Sequence, residues 1–327
     1  MLEKIKWGII APGNIANRFA EGLSFSEKGR LYAVASNSYE KAKAFADKFG
    51  ALRAYGSYDA LIEDAEVDAV YIASPHPFHA KQAMLCLRGR KPVLCEKPLA
   101  INAREVSAMI EMAQAEHTFL MEGMWTRFFP AMREAKRLVE SGVIGEVRML
   151  EASFGFRTNV NAEGRLFDRK LAGGALLDVG IYTISAASLF LGTPSSVVGR
   201  AQMGETGVDE QNAAILTYGN GALAVLTSAI RTNTRHDMSI YGTEGKVLIP
   251  SPFWRPGKVI LEQAGSEVAH FDFPVKGNGF EYEADHVSEC IQKGMTDSDI
   301  MPMEESLSIA ETMDQLREQW GLKYPIE

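Results

Sequence analysis

From residue 5 to about residue 120, short apolar runs alternate with helical patterns, and this alternation constrains the fold of the chain more than any other feature. Apolar runs of this kind are strands buried on both faces, and the helices between them cover a parallel sheet. The spacing predicts strands at 5–11, 30–36, 69–73, 92–96 and 118–121, and helices at 14–23, 40–49, 59–63, 79–88 and 103–116. That is a doubly wound α/β pattern. Past Glu122 the alternation stops. Longer β runs at 147–156, 196–202, 210–218, 221–230, 237–242, 245–249 and 259–263 are broken by Gly turns such as Tyr218-Gly219-Asn220-Gly221, as in a mostly antiparallel α+β domain. The expected division is residues 1–122 and 123–327, and a last helical pattern at 303–320 can pack on either domain.

Length agrees with two domains, since 327 residues exceed a typical single core. The net charge is −8 and the Lys and Arg residues are scattered, which argues against a nucleic-acid or membrane-surface partner. Met1-Leu2-Glu3-Lys4-Ile5-Lys6 enters a strand at once, leaving no room for a secretion leader. No apolar run approaches the roughly 20 residues of a membrane span. The three cysteines, Cys86, Cys95 and Cys290, form no close pair and are expected to be free thiols in a reducing compartment. The expected location is cytoplasmic.

Trp7 to Ala16 runs from the first apolar stretch through a Gly turn into a helix, with Ala11, Gly13 and Ala16 at the small positions of a dinucleotide fingerprint. Small residues there let the backbone approach a pyrophosphate at a helix N-terminus. Gly8, Ala11, Gly13, Asn14, Ile15 and Ala16 are the candidate contacts of this Rossmann-type turn. The second strand ends in Ser36, Asn37 and Ser38, with no acid and with Lys41 one turn on, which favours NADP and leaves NAD possible. Ser36 and Ser38 also read simply as caps of the next helix. Ser74, Pro75, His76 and His79 follow the strand at 69–73 and sit at the sheet's ligand-binding edge. The two histidines lack a partner acid, so no metal is expected, and His79 reads equally as a helix start.

Glu96 and Lys97 end a further strand at the same edge, followed by Pro98, and are also candidate cofactor contacts. Gly173-Gly174 precedes Asp178 and Tyr182, which stand four apart and share one face of a helix starting there. The glycines would let that helix start lie against a bound substrate or nicotinamide ring. Hydride transfer to or from a CH–OH carbon needs an acid or base for the hydroxyl proton. A Tyr serves at neutral pH when an ammonium such as that of Lys97 stabilises its phenolate. The plainer alternatives are a half-buried aromatic for Tyr182 and a cap or salt bridge for Asp178. Trp125, Phe128, Phe129, Phe154, Phe156 and Trp254 are numerous enough to line an apolar cleft, or to be core, and Arg127 and Arg157 are candidate holders of a substrate oxygen or phosphate.

Glu96-Lys97-Pro98 after a dinucleotide-binding half, followed by Gly-Gly-x-x-x-Asp-x-Gly-x-Tyr at 173–182, resembles the family of glucose-fructose oxidoreductase, inositol dehydrogenase and MocA proteins over essentially the whole chain. Within it the likeness is to the branch of dimeric dihydrodiol dehydrogenases and NADP-dependent D-xylose dehydrogenases, where Tyr182 stands in place of a His and Trp125, Phe154 and Trp254 match an aromatic pocket. The resemblance implies an NAD(P)-dependent oxidoreductase acting on a sugar, polyol, trans-diol or dicarbonyl. It implies Lys97 and Tyr182 as the acid/base groups, Asp178 as orienter, and a large open second sheet that forms a homodimer or homotetramer. Asn37, where NADP-using members often carry Arg, and Ala11, for the first glycine, depart from the pattern. Two further readings stay open: a sugar–sugar oxidoreductase with a tightly held cofactor, and a non-catalytic cofactor-sensing regulator.

Overall fold

Ile5–Ile10 reads Ile-Lys-Trp-Gly-Ile-Ile, and all of it but Lys6 is buried, as a strand covered on both faces must be. In a computed structural model describing residues 3–265 and 268–327, this strand is β1 of a parallel sheet. It is followed by α1 (Asn14–Leu23), β2 (Gly29–Ala35), α2 (Tyr39–Phe49), β3 (Arg53–Tyr55), α3 (Tyr58–Glu63), β4 (Ala69–Ile72), α4 (His79–Arg88), β5 (Val93–Glu96), α5 (Ala103–Ala115) and β6 (Leu120–Gly123). The order is β3-β2-β1-β4-β5-β6. It reverses between β1 and β4, the point where open α/β sheets bind ligands outside the carboxyl ends of their strands.

Gly8, expected to meet a cofactor, lies inside this sheet. A Cβ there would stand 3.0 Å from Leu61 Cδ2 and 3.1 Å from Val67 Cγ1, so the glycine makes room for α3 instead of a ligand. β3 was not foreseen, because three partly exposed residues carry no periodic signal.

The second part of the chain comprises α6 (Pro130–Glu140), β7 (Val147–Gly155), a π-helical turn (Leu176–Gly180), α7 (Ile181–Leu191), β8 (Ser196–Met203), β9 (Asp209–Thr217), β10 (Leu223–Ala229), β11 (Met238–Gly242), β12 (Gly245–Ile249), β13 (Lys258–Gln263), β14 (Ala269–Asp272), α8 (Phe280–Gln292) and α9 (Met303–Trp320). Its sheet runs β14-β13-β12-β11-β7-β10-β9-β8 and is antiparallel except where β10 pairs parallel with β7. α7 packs against β7 and β10, with Ile181 to Ser188 all buried, as expected of a helix apolar on every side.

Two expectations need correction. Residues 169–191, which run through the Gly173-Gly174 turn and the π-turn into α7, contain an apolar window long enough to cross a membrane, contrary to the sequence reading, and 78% of that window is buried in the protein. They are part of the core. The division at residue 122 also overlooks α8: the compact units are Met1–Ala100, Arg104–Trp125 and Val275–Ser306 on one side, and Ile101–Ala103, Thr126–Pro274 and Leu307–Glu327 on the other. α8 joins the first unit through apolar packing and polar contacts. Phe280 packs edge-on to Phe19 at 6.3 Å, Trp7 Nε1 donates to Ser288 Oγ at 3.2 Å, and Asp285 accepts the Lys28 N–H at 2.9 Å.

Replacing Gly8 with Val should lower stability by roughly 1–3 kcal/mol, the usual cost of overpacking a filled core. Urea unfolding of G8V checks this, and an unchanged midpoint would refute the packing role.

Candidate active site

At the carboxyl edge of the parallel sheet the backbone passes from β1 through Ala11, at φ 61°, into Gly13 and α1. A left-handed φ is why glycine is usual at the Ala11 position; alanine is tolerated there at a cost on the order of 1 kcal/mol. Among the described residues no side chain caps α1, which suits its first N–H groups to an anion. A Cβ on Gly13 would meet nothing nearer than 3.9 Å, leaving room for a close ligand. Asn14 is exposed, Ile15 half-buried and Ala16 fully buried against the sheet. After β4, the buried Ser74 hydroxyl has no hydrogen-bond partner among the described residues. An uncapped helix end, an open glycine and an orphaned hydroxyl at one edge fit a dinucleotide. Ser38 caps α2 by accepting the Lys41 N–H at 3.3 Å and donates to Glu40 Oε2 at 2.9 Å. Ser36 is buried and Asn37 exposed.

His79 does not face a ligand. Its ring is fully buried, with Nδ1 2.7 Å from the Pro98 carbonyl and Nε2 2.7 Å from the Ser74 carbonyl. It braces the turn after β4 against the turn after β5. Burial, and with it the Lys97 charge, holds its pKa below the ordinary imidazole value against the pull of the two carbonyls. His76, also buried, lies 5.9 Å away, edge to ring, and Pro75 is half-buried. Glu96 likewise points inward: its carboxylate accepts the Tyr71 hydroxyl and, at 3.2 Å, the Lys97 N–H. It shapes the Lys97 turn from within. Trp125 belongs to this unit and stacks on Phe280 at 4.6 Å.

In the second unit the Gly173-Gly174 turn leads into the π-turn that carries Asp178, and then into α7 with Tyr182. The glycines pack closely on the protein itself. A Cβ on Gly173 would meet the Leu166 carbonyl at 2.6 Å, and one on Gly174, at φ 120°, would meet Asp209 Oδ1 at 2.2 Å. Asp178 and Tyr182 are 7% and 9% exposed, so both are almost wholly buried. Asp178 Oδ1 accepts a 2.7 Å hydrogen bond from Arg165 Nη1, an ion pair that sequence reasoning missed because a loop residue carries no periodic signal. The Tyr182 ring lies 5.4 Å from Phe154, which stacks on Trp254 at 3.5 Å.

His236 completes this cluster, 4.8 Å from Trp254, with a left-handed φ of 63° and Nε2 donating to the Gly155 carbonyl. It too was missed. Phe156 is half-buried, its N–H on the Ala229 carbonyl at 3.0 Å. Arg127 is only 2% exposed and binds the Ser185 hydroxyl at 2.9 Å and carbonyl at 2.8 Å. Where a substrate contact was expected, these bonds tie it to α7.

Asp209 beneath the turn is fully buried. Burial pushes its pKa up to about 7 from 3.8, against hydrogen bonds from Asn212 and the Leu176 N–H. The folded protein therefore holds a proton that the unfolded chain releases near pH 4. Stability should fall as pH rises from about 4 to about 7, with a slope approaching about 1.4 kcal/mol per pH unit. Urea unfolding of wild type and D209N from pH 5 to 8 isolates this slope; a pH-independent difference between them would refute it.

Comparison with known proteins follows the same outline. Residues 5–124 match the profile of the oxidoreductase family with an NAD-binding Rossmann fold, and residues 132–248 match that of the GFO/IDH/MocA C-terminal domain. The chain is 39% identical to trans-1,2-dihydrobenzene-1,2-diol dehydrogenase of Xenopus laevis, covering 98% of this chain and 99% of the relative. It is 36% identical to that of Homo sapiens, covering 98% of each. Among solved structures, an aldose-aldose oxidoreductase from Caulobacter crescentus complexed with glycerol is similar at TM-score 0.88 and 28% identity, with 97% of each chain covered. A 3-ketoreductase from Actinomadura kijaniata in complex with NADP and TDP-benzene is similar at TM-score 0.86 and 28% identity, with 97% of this chain and 98% of that one covered.

Proposed function

The chain belongs to the GFO/IDH/MocA family of NAD(P)-binding oxidoreductases, and from that premise we propose that Lys97, Asp178 and Tyr182 serve one acid/base step on the CH–OH carbon of a trans-diol, polyol or aldose. The observation that carries this reading is the placing of Asp178 on the buried π-turn and of Tyr182 on the α7 turn that continues it, with the Tyr182 ring 5.4 Å from Phe154. The bound nicotinamide supplies the hydride acceptor or donor. Tyr182 takes the hydroxyl proton in oxidation and returns it in reduction. The Lys97 ammonium favours the phenolate, and Asp178, held by Arg165, orients the proton-transfer group. Phe154, Trp254 and His236 supply flat apolar surface suited to a ring-shaped diol or sugar. Relatives named for trans-1,2-dihydrobenzene-1,2-diol support the diol class.

The cofactor is NADP in this reading, with Ser36, Asn37 and Ser38 following β2 and Lys41 in the first turn of α2; the NADP-bound ketoreductase supports it. Glu40 on Ser38 favours NAD as the second reading, because an acid there binds the ribose 2′-hydroxyl and repels a 2′-phosphate. Three buried free cysteines fit a reducing, cytoplasmic location. Turnover of a trans-dihydrodiol and a panel of aldoses, read as reduced-nicotinamide absorbance with NADP and then NAD, tests substrate and cofactor together. Y182F should lose about 10²- to 10⁴-fold in kcat, the usual worth of a general acid/base, while its NADP dissociation constant stays within about twofold. Unchanged turnover would sink the assignment.

A second copy of the chain is the proposed partner of the open sheet face. In register across β8, β9 and β10 stand Val198, Ile215 and Val225, with Val198 61% and Ile215 49% exposed. An exposed apolar row on a broad sheet marks an interface. Analytical ultracentrifugation should show a dimer or tetramer that I215D dissociates; a monomeric wild type would exclude it.

A further inference from the structure

The segment Leu322–Glu327 reaches the turn that carries Asp178 and Tyr182. The Tyr324 hydroxyl, on a side chain 3% exposed, donates to the Gly173 carbonyl at 2.9 Å. Three residues further along the same turn the Leu176 N–H, one of the orphan donors at a helix start, donates to Asp209 Oδ2 at 2.9 Å. Asn212 Nδ2 holds that oxygen at 2.8 Å. Tyr324 is itself fixed: the Arg317 guanidinium lies over its ring at 5.1 Å and binds Asp314 at 2.6 Å and Glu327 at 2.7 Å. Glu327 accepts the Tyr324 N–H at 2.9 Å. The same two carboxylates hold the chain that follows Lys97: Asn102 Nδ2 reaches Glu327 at 3.3 Å, and the Ala103 N–H reaches Asp314 at 2.8 Å.

We propose that Tyr324 and Asp209 are positioning residues for the reaction, setting the Gly173-Gly174 turn and through it the placement of Asp178 and Tyr182. The inference rests on the acid/base reading of those two residues. Burial first, and the nearby Asp209 charge, keep the Tyr324 phenol well above its ordinary pKa, so it remains a donor throughout the working range. Each contact fixes one backbone group of the turn, Gly173 O in one case and Leu176 N in the other. Small displacements of a catalytic group cost rate far more than they cost stability.

The test compares Y324F, D209N and Y182F in the purified full-length protein, measuring kcat, KM, the NADP dissociation constant by fluorescence and the pH profile of kcat. Y324F should lower kcat about tenfold, shift the apparent pKa of the kcat profile and leave NADP affinity within about twofold. Loss of thermal stability with unchanged kcat and pH profile would overturn the inference, leaving Tyr324 a structural residue only. If Y324F does not fold, D209N carries the same expectation and the same refutation. A damaged Y182F beside an unaffected Y324F refutes the positioning role alone, whereas an unaffected Y182F refutes the acid/base reading and this inference together.

Discussion

The second unit of this molecule depends on how closely neighbouring groups can approach the backbone at Gly173 and Gly174. The Leu166 carbonyl lies against one glycine and the Asp209 carboxylate against the other, at distances no side chain would permit. That contact lets a buried carboxylate cap the first N–H of the turn, and the capped turn fixes the start of the helix bearing Asp178 and Tyr182. Asp209 is held there although burial disfavours its charge. A desolvated carboxylate of this kind persists only where the surrounding hydrogen bonds over-determine its position. The rest of the second unit follows from that anchor: α7 is apolar on every side because it runs through the core, and Arg127 and Ser185 satisfy the polar groups its path buries.

The first unit answers a different demand. A parallel sheet buried on both faces leaves its functional groups to the loops at its carboxyl edge. His79 and Glu96, both buried, use their polar atoms on those loops. One ties the turn after β4 to the turn after β5, and the other holds Tyr71 and the Lys97 backbone. The uncapped end of α1, the open space at Gly13 and the Ser74 hydroxyl, which has no partner among the described residues, fit a cofactor at that edge. Residues that looked alike as candidate contacts thus divide into those that could meet a ligand and those that shape the turns doing so.

The sequence pattern was legible where it repeated. α1, α4, β12 and α9 fall where periodicity put them, because each carries enough apolar positions to define its period. β3 is too short for that. α8 has the helical pattern, yet its place in the first unit follows from contacts with Trp7, Phe19 and Lys28, more than 250 residues away in sequence. The apolar window within 169–191 could be taken for a membrane span by composition; only its burial identifies it as core.

Local order along the chain therefore determined the fold class, and it singled out the glycine turn after β1 and the trio Lys97, Asp178 and Tyr182 as candidates, since spacing and residue type survive in a linear string. Tertiary structure alone decided that Gly8 packs on α3, that His79 is a brace, that Arg127 anchors a helix, that His236 joins the Phe154–Trp254 cluster, and that Arg165, Asp209 and Tyr324 hold the turn. Those roles depend on which distant atoms a side chain meets. A polar group becomes a contact, a brace or an anchor according to the partner that satisfies it, and that partner is chosen only when the chain folds.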